Sequence, residues 1–372
     1  MKLTIERATL VKSLAHVQSV VERRTTIPIL SNLRLEAGGG QLGITATDMD
    51  LAVVEKVAAD VAGDGVTTAS AHMLYDIVRK LPEGAQIALE VGAGGDHLTL
   101  ESGQARFSLP TLPAEEFPAM AEDDFAHDFV LAAASLRRMI DKTRFAISTE
   151  ETRYYLNGIY LHAAQGEDGA VLRAVATDGH RLSRVDVPLP EGGVDIPGVI
   201  VPRKSVGEVR KLIDEVDDEI SVSVSDAKIR FSFGDVVLLS KLIDGSFPDY
   251  ERVIPSGNDK TVQISGKALS EAVDRVATIS TDKTRSVKLA LDRNRLVISA
   301  NSPDSGSASE DLEVEYDGPE LQIGFNSRYL LDVTERIDGD KIQFVMADSV
   351  SPTILRDSGD SVALYVLMPM RV

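Results

Sequence analysis

The chain has 372 residues, 43% of them hydrophobic and 26% charged, with no Cys and no Trp. That is the composition of an ordinary folded protein, long enough for two or three domains, and it excludes disulfides and any cysteine-ligated metal. The net charge of −19 argues against a nucleic-acid partner unless the basic residues are gathered on one face.

The opening segment MKLTIERATL is charged and lacks the apolar stretch of a signal peptide. No run of apolar residues is long enough to span a membrane, so a cytoplasmic location and no membrane partner are expected. Leu3, Ile5, Leu10 and Leu14 start an alternating strand that gives way to a helical face. The same pattern returns at Phe129, Leu131, Leu136 and Ile140, and again at Val262, Ile264, Leu269 and Val273. Further landmarks follow in step. Thr45-Ala-Thr-Asp48 is echoed by Val175-Ala-Thr-Asp178 and, degenerately, by Ser299-Ala-Asn301. The stretch from Leu109 to Pro118 is echoed by Leu239 to Pro248, and the third copy ends in Tyr365-Val-Leu-Met-Pro-Met370.

Six helices are predicted, over 7–24, 70–81, 135–148, 202–213, 266–283 and 326–337, with Pro202 suited to a first turn and Asn326 to an N-cap. The rest reads as short strands with turns at Ala37-Gly-Gly-Gly40, Gly92-Ala-Gly-Gly95 and Asp292-Arg-Asn294. The period is far longer than that of a solenoid. It predicts three similar α+β domains, over 1–124, 125–256 and 257–372. Lys211 and Glu215 have the spacing of a surface helix pair.

The charges are unevenly spread. The six windows hold 19 Lys and Arg against 9 Asp and Glu, and the remainder holds 20 against 49. A basic helix layer on an acidic body suits a protein that meets phosphate on one face and repels it elsewhere. A domain of this size is roughly 35 Å across, so three in a ring leave a hole of only about 5 Å, but six leave about 35 Å. Duplex DNA, about 20 Å wide, passes only the larger ring. A head-to-tail dimer would supply it.

Five segments, Arg153-Tyr-Tyr-Leu-Asn-Gly158, Ala176-Thr-Asp-Gly-His-Arg-Leu182, Val201-Pro-Arg-Lys204, Phe247-Pro-Asp-Tyr250 and Met368-Pro-Met-Arg371, stand in the order found in one family. With them the whole chain resembles the bacterial sliding clamps, the beta subunits of DNA polymerase III. The resemblance implies the DNA clamp fold: three similar domains per chain, helices inside, antiparallel sheets outside, and a head-to-tail dimeric ring. It implies a processivity factor that encircles double-stranded DNA without reading sequence, with no catalytic residue, no metal and no cofactor. Its partners would be a second copy of the chain, the replicative polymerase, an ATP-driven clamp loader and other proteins carrying short Leu/Phe-containing peptides.

The resemblance also assigns residues. Leu156, Thr177, Gly179, His180, Arg181, Leu182, Pro248, Arg252, Val253, Val366, Met368, Pro369, Met370 and Arg371 match the family's partner-binding groove. Arg24, Arg153, Tyr154 and Tyr155 match its DNA-contacting positions, while Glu150, whose carboxylate would repel phosphate, is set aside. Phe107, Leu109 and Ile279 match its dimer contact, with Arg106 facing Glu310, Asp311 and Glu313. The residues alone also allow a metal- or acid-base-dependent enzyme built on Asp178 and His180, although no hydrolase or phosphate-loop motif is present. A multidomain scaffold that binds no DNA is the other alternative. On the residues alone, the Tyr154-Tyr155 pair suits strand packing better than DNA contact.

Overall fold

The structure is a computed structural model that describes residues 1–92, 94–120, 124–216, 218–280 and 285–371. The first repeat runs β1 (Lys2–Glu6), α1 (Arg7–Gln18), β2 (Asn32–Gly38), β3 (Gln41–Thr47), β4 (Leu51–Ala58), a short β5 (Asp60–Gly63), β6 (Gly65–Ser70), α2 (Ala71–Val78), β7 (Gln86–Val91), β8 (His97–Ser102) and β9 (Ala105–Pro110). The second runs β10 (His127–Ala132), α3 (Ala133–Thr143), β11 (Gly158–Gln165), β12 (Ala170–Thr177), β13 (Arg181–Pro188), β14 (Val199–Pro202), α4 (Arg203–Ile213), β15 (Glu219–Val224), β16 (Lys228–Phe233) and β17 (Val236–Lys241). The third runs β18 (Lys260–Ser265), α5 (Gly266–Ala277), β19 (Ser286–Asp292), β20 (Arg295–Ser302), β21 (Gly306–Glu313), β22 (Leu321–Asn326), α6 (Ser327–Thr334), β23 (Lys341–Met346), β24 (Thr353–Asp357) and β25 (Asp360–Leu367). Without β5, every repeat reads strand, helix, three strands, and then the same five elements again.

The chain forms two compact units, one of residues 1–136, 190–197 and 204–242, the other of 137–189, 198–203 and 243–372, so the middle repeat is divided between them. The first unit holds the sheets β5-β1-β7-β8-β9 and β10-β15-β16-β17-β4-β3-β2-β6. The second holds β14-β11-β12-β13-β25-β24-β23-β18 and β21-β20-β19-β22. Each eight-stranded sheet therefore contains a seam between repeats. At one, β17 pairs antiparallel with β4, with Leu238 opposite Val53 and Leu239 opposite Ala52. At the other, β25 pairs with β13, with Val366 opposite Leu182 and Tyr365 opposite Ser183.

Local chemistry accounts for the elements. Leu3 and Ile5 of β1 and Leu10, Leu14 and Val17 of α1 are all buried, as their periods of two and of three to four require. Each such side chain contributes about 1.5–3 kcal/mol on burial. Gly39 and Gly40, with φ of +61° and +78°, make the tight turn between β2 and β3, the left-handed pair that a two-residue hairpin needs. Asn326 caps α6, its side chain accepting from the Arg328 N–H at 3.0 Å. Ala93, in the expected turn between β7 and β8, lies outside the described residues.

Several helices are shorter than the sequence predicts. α1 stops at Gln18 rather than 24, and α5 at Ala277, before Thr278-Ile279-Ser280, whose β-branched and hydroxyl side chains disfavour helix. Residues 281–283 of that expected helix lie outside the described residues. α3 begins earlier than predicted, at Ala133, and ends at Thr143 in a 3-10 turn over Arg144–Ala146. The charge contrast survives: the six helices carry 12 Lys and Arg against 6 Asp and Glu, the rest of the chain 27 against 52. No described helix is long and apolar enough to cross a membrane.

Lys211 does not pair with Glu215; it bonds Glu208 at 2.8 Å, three residues back. Glu215 instead joins a cluster on α1. It takes Lys12 at 2.7 Å and His16 Nε2 at 3.0 Å, while His16 Nδ1 meets Glu55 of β4 at 2.8 Å. Ser13 also donates to Glu55, at 2.7 Å. An imidazole held between two carboxylates donates from both nitrogens, and the Glu55 hydrogen bond, followed by that of Glu215, holds its pKa above the ordinary value despite burial. A group whose folded pKa is raised stabilises fully below its unfolded pKa, about 6.5 for His, and ceases to do so as pH rises through the folded value. His16→Gln should therefore lower stability by about 1–3 kcal/mol at pH 6, and the gap should narrow between pH 6 and 9 in paired thermal melts. A gap that stays constant with pH would contradict a charged His16.

Candidate functional site

β12 and β13 are joined by a turn that is braced from within. The Thr177 hydroxyl donates to the Arg181 carbonyl at 2.7 Å and accepts the Gly179 N–H at 3.1 Å. Asp178 Oδ1 accepts the N–H groups of His180 and Arg181 at 2.9 and 3.0 Å. Thr47 and Asp48 build the same turn between β3 and β4. In the third repeat it is replaced by a shorter one, where the Ser302 hydroxyl accepts the Ser305 N–H at 3.3 Å. Gly179 has φ +86°, and a Cβ there would lie 2.6 Å from an Arg153 guanidinium nitrogen. The backbone conformation favours glycine, while the flexible end of Arg153 could move aside.

The turn delivers Leu182 to the seam with β25. There Leu182, Val366, Val175 and Tyr250 form a buried cluster, with Tyr160, Phe247, Ile254 and Leu364 packed against it. Met368 and Val253 remain 37% and 44% exposed beside this floor. The closing segment is tied down on both sides: the Met368 N–H donates to His180 O at 2.9 Å and the Met370 N–H to Gly324 O at 2.8 Å. Pro369 is half-buried and Arg371 exposed. Pro248, Arg252 and Val253 lie on the segment after β17, where Arg252 pairs with Asp249 at 2.7 Å. Leu156 is buried at the end of the 3-10 turn Glu151–Leu156. Thus most of the fourteen expected groove residues gather around one strand seam.

Arg181 differs from the rest. Its guanidinium bonds Asp178 at 3.0 Å, Asp332, and the Phe145 carbonyl at 2.7 Å. It also stacks 4.4 Å from the Tyr329 ring centre and 5.1 Å from that of Phe145. The side chain is a brace, and Asp178 is likewise occupied with the turn and with Arg181. The His180 ring stacks on Tyr329 instead of meeting a carboxylate. A polar cavity of about 460 Å³ adjoins this turn, and Arg203, Arg285 and Arg328 are among the residues that line it.

Beneath the segment bearing Pro248 and Val253 lies a network that sequence reasoning missed. Arg173, 3% exposed, forks onto Asp186 with two bonds of 2.7 Å and donates to the Tyr250 hydroxyl at 3.3 Å. His162 Nδ1 meets the Ala163 carbonyl at 2.8 Å and Nε2 the Tyr250 hydroxyl at 3.0 Å. Burial holds the His162 pKa below its ordinary value. A neutral ring that donates from Nδ1 and accepts from Tyr250 satisfies every partner. The signal was available in part: an Arg between Leu172 and Ala174 in a strand must be either exposed or paired.

The positions expected at DNA are all accessible. Arg24 is exposed in the segment after α1, and Tyr154 is 54% exposed. Tyr154 and Tyr155 meet edge to face at 5.7 Å within the 3-10 turn, so they are not strand residues as the residues alone suggested. Arg153 forks onto Glu150 at 2.8 and 2.6 Å, and this pair lowers the carboxyl pKa. Glu150 is therefore a neutralised charge that also occupies a cation.

The positions expected at a dimer contact lie on two unpaired strand edges. β9 carries Arg106, Phe107 and Leu109, and among the described residues it pairs only with β8. β21 carries Glu310, Asp311 and Glu313 and, among the described residues, pairs only with β20. Arg106 meets Glu101 of its own sheet at 3.2 Å, while Glu310 and Asp311 are held by Arg275 and Arg295 at 2.6 and 2.8 Å. Ile279, half-buried, follows α5.

Comparison with known proteins covers the entire chain. Models of the N-terminal, central and C-terminal domains of the DNA polymerase III beta subunit match residues 1–121, 130–249 and 251–371. The chain is 51% identical to the beta sliding clamp of Caulobacter vibrioides (strain NA1000 / CB15N) over 372 residues, and 40% identical to that of Escherichia coli (strain K12) over 375, with 100% of both chains covered in each case. The crystal structure of the sliding clamp from Bartonella birtlesii bound to griselimycin superposes with a TM-score of 0.97 at 48% identity, and Caulobacter crescentus pol III beta with 0.95 at 51%, again over 100% of both chains. With its three-domain α+β fold of antiparallel sheets, the chain belongs to the DNA polymerase III beta subunit family, the bacterial DNA sliding clamps.

Proposed function

We propose that two copies close head to tail into a ring around duplex DNA and, acting as an accessory subunit in the cytoplasm rather than as an enzyme, tether the polymerase. The observation that carries this reading is the seam pattern. The last strand of one repeat pairs with the fourth strand of the preceding repeat at β17–β4 and at β25–β13, leaving β9 and β21 as the unmatched pair. Exposed strand edges of this kind are liabilities unless covered. A second copy covers both at once and so closes the ring. In this reading the three repeats act as clamp domains over 1–124, 125–256 and 257–372.

Register follows from the equivalent strands. Matching β9 to β17 and β21 to β4 sets Phe107 opposite Ala308 and Leu109 opposite Gly306 of the second copy. The match is supported by Glu310, which meets Arg275 of α5 as Glu55 meets His16 of α1. Ile279 would close the apolar contact. Sedimentation should give twice the 40.1 kDa chain mass, and Phe107→Asp with Ile279→Asp should give folded monomers. A wild-type chain that stays at 40.1 kDa at micromolar concentration would sink the ring.

Once on DNA, such a ring is held by topology, so Arg24, Arg153, Tyr154 and Tyr155 need supply only weak, salt-sensitive contacts. An ATP-driven loader would open it. Glu150→Gln frees Arg153 and should strengthen direct DNA binding by a few-fold at low salt, an effect that fades as salt rises. Unchanged affinity in Glu150→Gln would show that Arg153 does not reach DNA.

The seam at Leu182 and Val366, flanked by Met368, Pro369, Met370, Arg371, Pro248, Arg252, Val253 and Leu156, is the groove for Leu/Phe-bearing peptides of polymerase and loader. The turn residues Thr177, Gly179, His180 and Arg181 hold it open. Methionines suit varied apolar ligands, and the griselimycin complex of the Bartonella birtlesii relative supports a ligand-accepting surface in this fold. Affinity near micromolar, about −8 kcal/mol, would let partners exchange. Met368→Ala with Met370→Ala should weaken a Leu/Phe peptide by about tenfold or more, with melting and dimer mass unchanged; unaltered calorimetric affinity would remove these residues from the site.

A further inference from the structure

The two seams are equivalent in register, and at one position an apolar residue gives way to a charged one. At β4–β17, Thr45, Ala52, Val54, Val237 and Leu239 share one face of the sheet and line a common cavity. Register places Val175, Leu182, Arg184, Leu364 and Val366 in the corresponding places at β13–β25. Arg184 stands where the other seam has Val54.

Arg184 is half-buried, and its Nε is buried without a hydrogen-bond partner. Among the described residues it makes no ion pair. Asp186, two residues along the same strand, is engaged twice by Arg173, which also reaches Glu251 at 3.2 Å. Burial, and then the Arg173 charge, depress the Arg184 pKa, so the guanidinium sits in a site that favours an added anion. A buried donor left unpaired is destabilising, and the equivalent position in the other seam is the apolar Val54.

We propose that Arg184 is a specificity determinant of the groove and receives a carboxylate of the docked peptide. This rests on the groove reading given above. The Arg184–Leu364 pair is two residues along the strands from Leu182–Val366, or roughly 7 Å. In an extended peptide the acidic side chain therefore belongs two positions from the apolar anchor. The partners selected are segments that combine an acidic residue with Leu or Phe. A chain of net charge −19 otherwise repels such segments, so a local guanidinium decides the choice.

The test uses labelled peptides with a Leu/Phe anchor and Asp two positions before or after it, each beside its Asn counterpart. Binding is read by anisotropy to the full-length protein. For one placement, Asp should bind about tenfold tighter than Asn, as a charge-assisted bond implies, and the preference should shrink with salt. The Asp-to-Asn ratio should fall to about one in Arg184→Gln and be largely retained in Arg184→Lys, with melting temperatures confirming folded variants. Equal binding of Asp and Asn peptides to wild type, or a preference that persists in Arg184→Gln, overturns the role of Arg184 and leaves the groove standing. Failure of all the peptides to bind wild type overturns both.

Discussion

Backbone hydrogen bonds across the β17–β4 and β25–β13 seams are the constraint from which the rest follows. They turn half-sheets of four strands into continuous sheets of eight, and they pair residues far apart in sequence, as Leu182 with Val366. A ladder of this kind is indifferent to side-chain identity, so each seam can vary the chemistry displayed on it. One displays Ala52, Val54 and Leu239; the other Leu182, Arg184 and Val366. The same indifference leaves the edges of β9 and β21 open to a strand of matching direction.

Around the seams, polar groups settle what the ladders leave open. Arg173, Asp186, Tyr250 and His162 form a network in which each group has a partner, and it fixes the segment that carries Pro248 and Val253. Buried charges that are paired and hydrogen-bonded contribute little net stability but resist alternative arrangements. His16, between Glu55 and Glu215, ties α1 to β4 and to the end of α4 in the same way. The basic surplus of the helices and the acidity of the rest, by contrast, are long-range properties that no single pair creates.

Local order was readable from the sequence, and distant pairing was not. Leu3 with Ile5, Phe129 with Leu131 and Val262 with Ile264 announce three strands, because alternation needs only neighbouring residues. The Thr177–Arg181 turn was visible as a repeated motif, since its Asp and Thr bond their own backbone. The meeting of β13 with β25 left no periodic trace; the groove residues came together only through the family resemblance. Lys211 illustrates the limit from the other side. Spacing offered Glu215 as its partner, but α1 competes for that carboxylate with Lys12 and His16. Helix ends were overextended wherever apolar residues such as Val20 and Ile279 continued past the last turn, because they belong to the connecting segments.

The divided middle repeat has a consequence for recombination between relatives. The family domains end near residues 121 and 249, yet the compact units exchange chain at 136, 189, 197, 203 and 242. A crossover near 121 divides only the β17–β4 ladder between two ancestors and one near 249 only the β25–β13 ladder, whereas a crossover after Leu189 or Pro197 divides both. Gene shuffling in this fold therefore meets its steepest barrier inside the middle repeat, between β13 and β17, where a single crossover breaks both ladders at once.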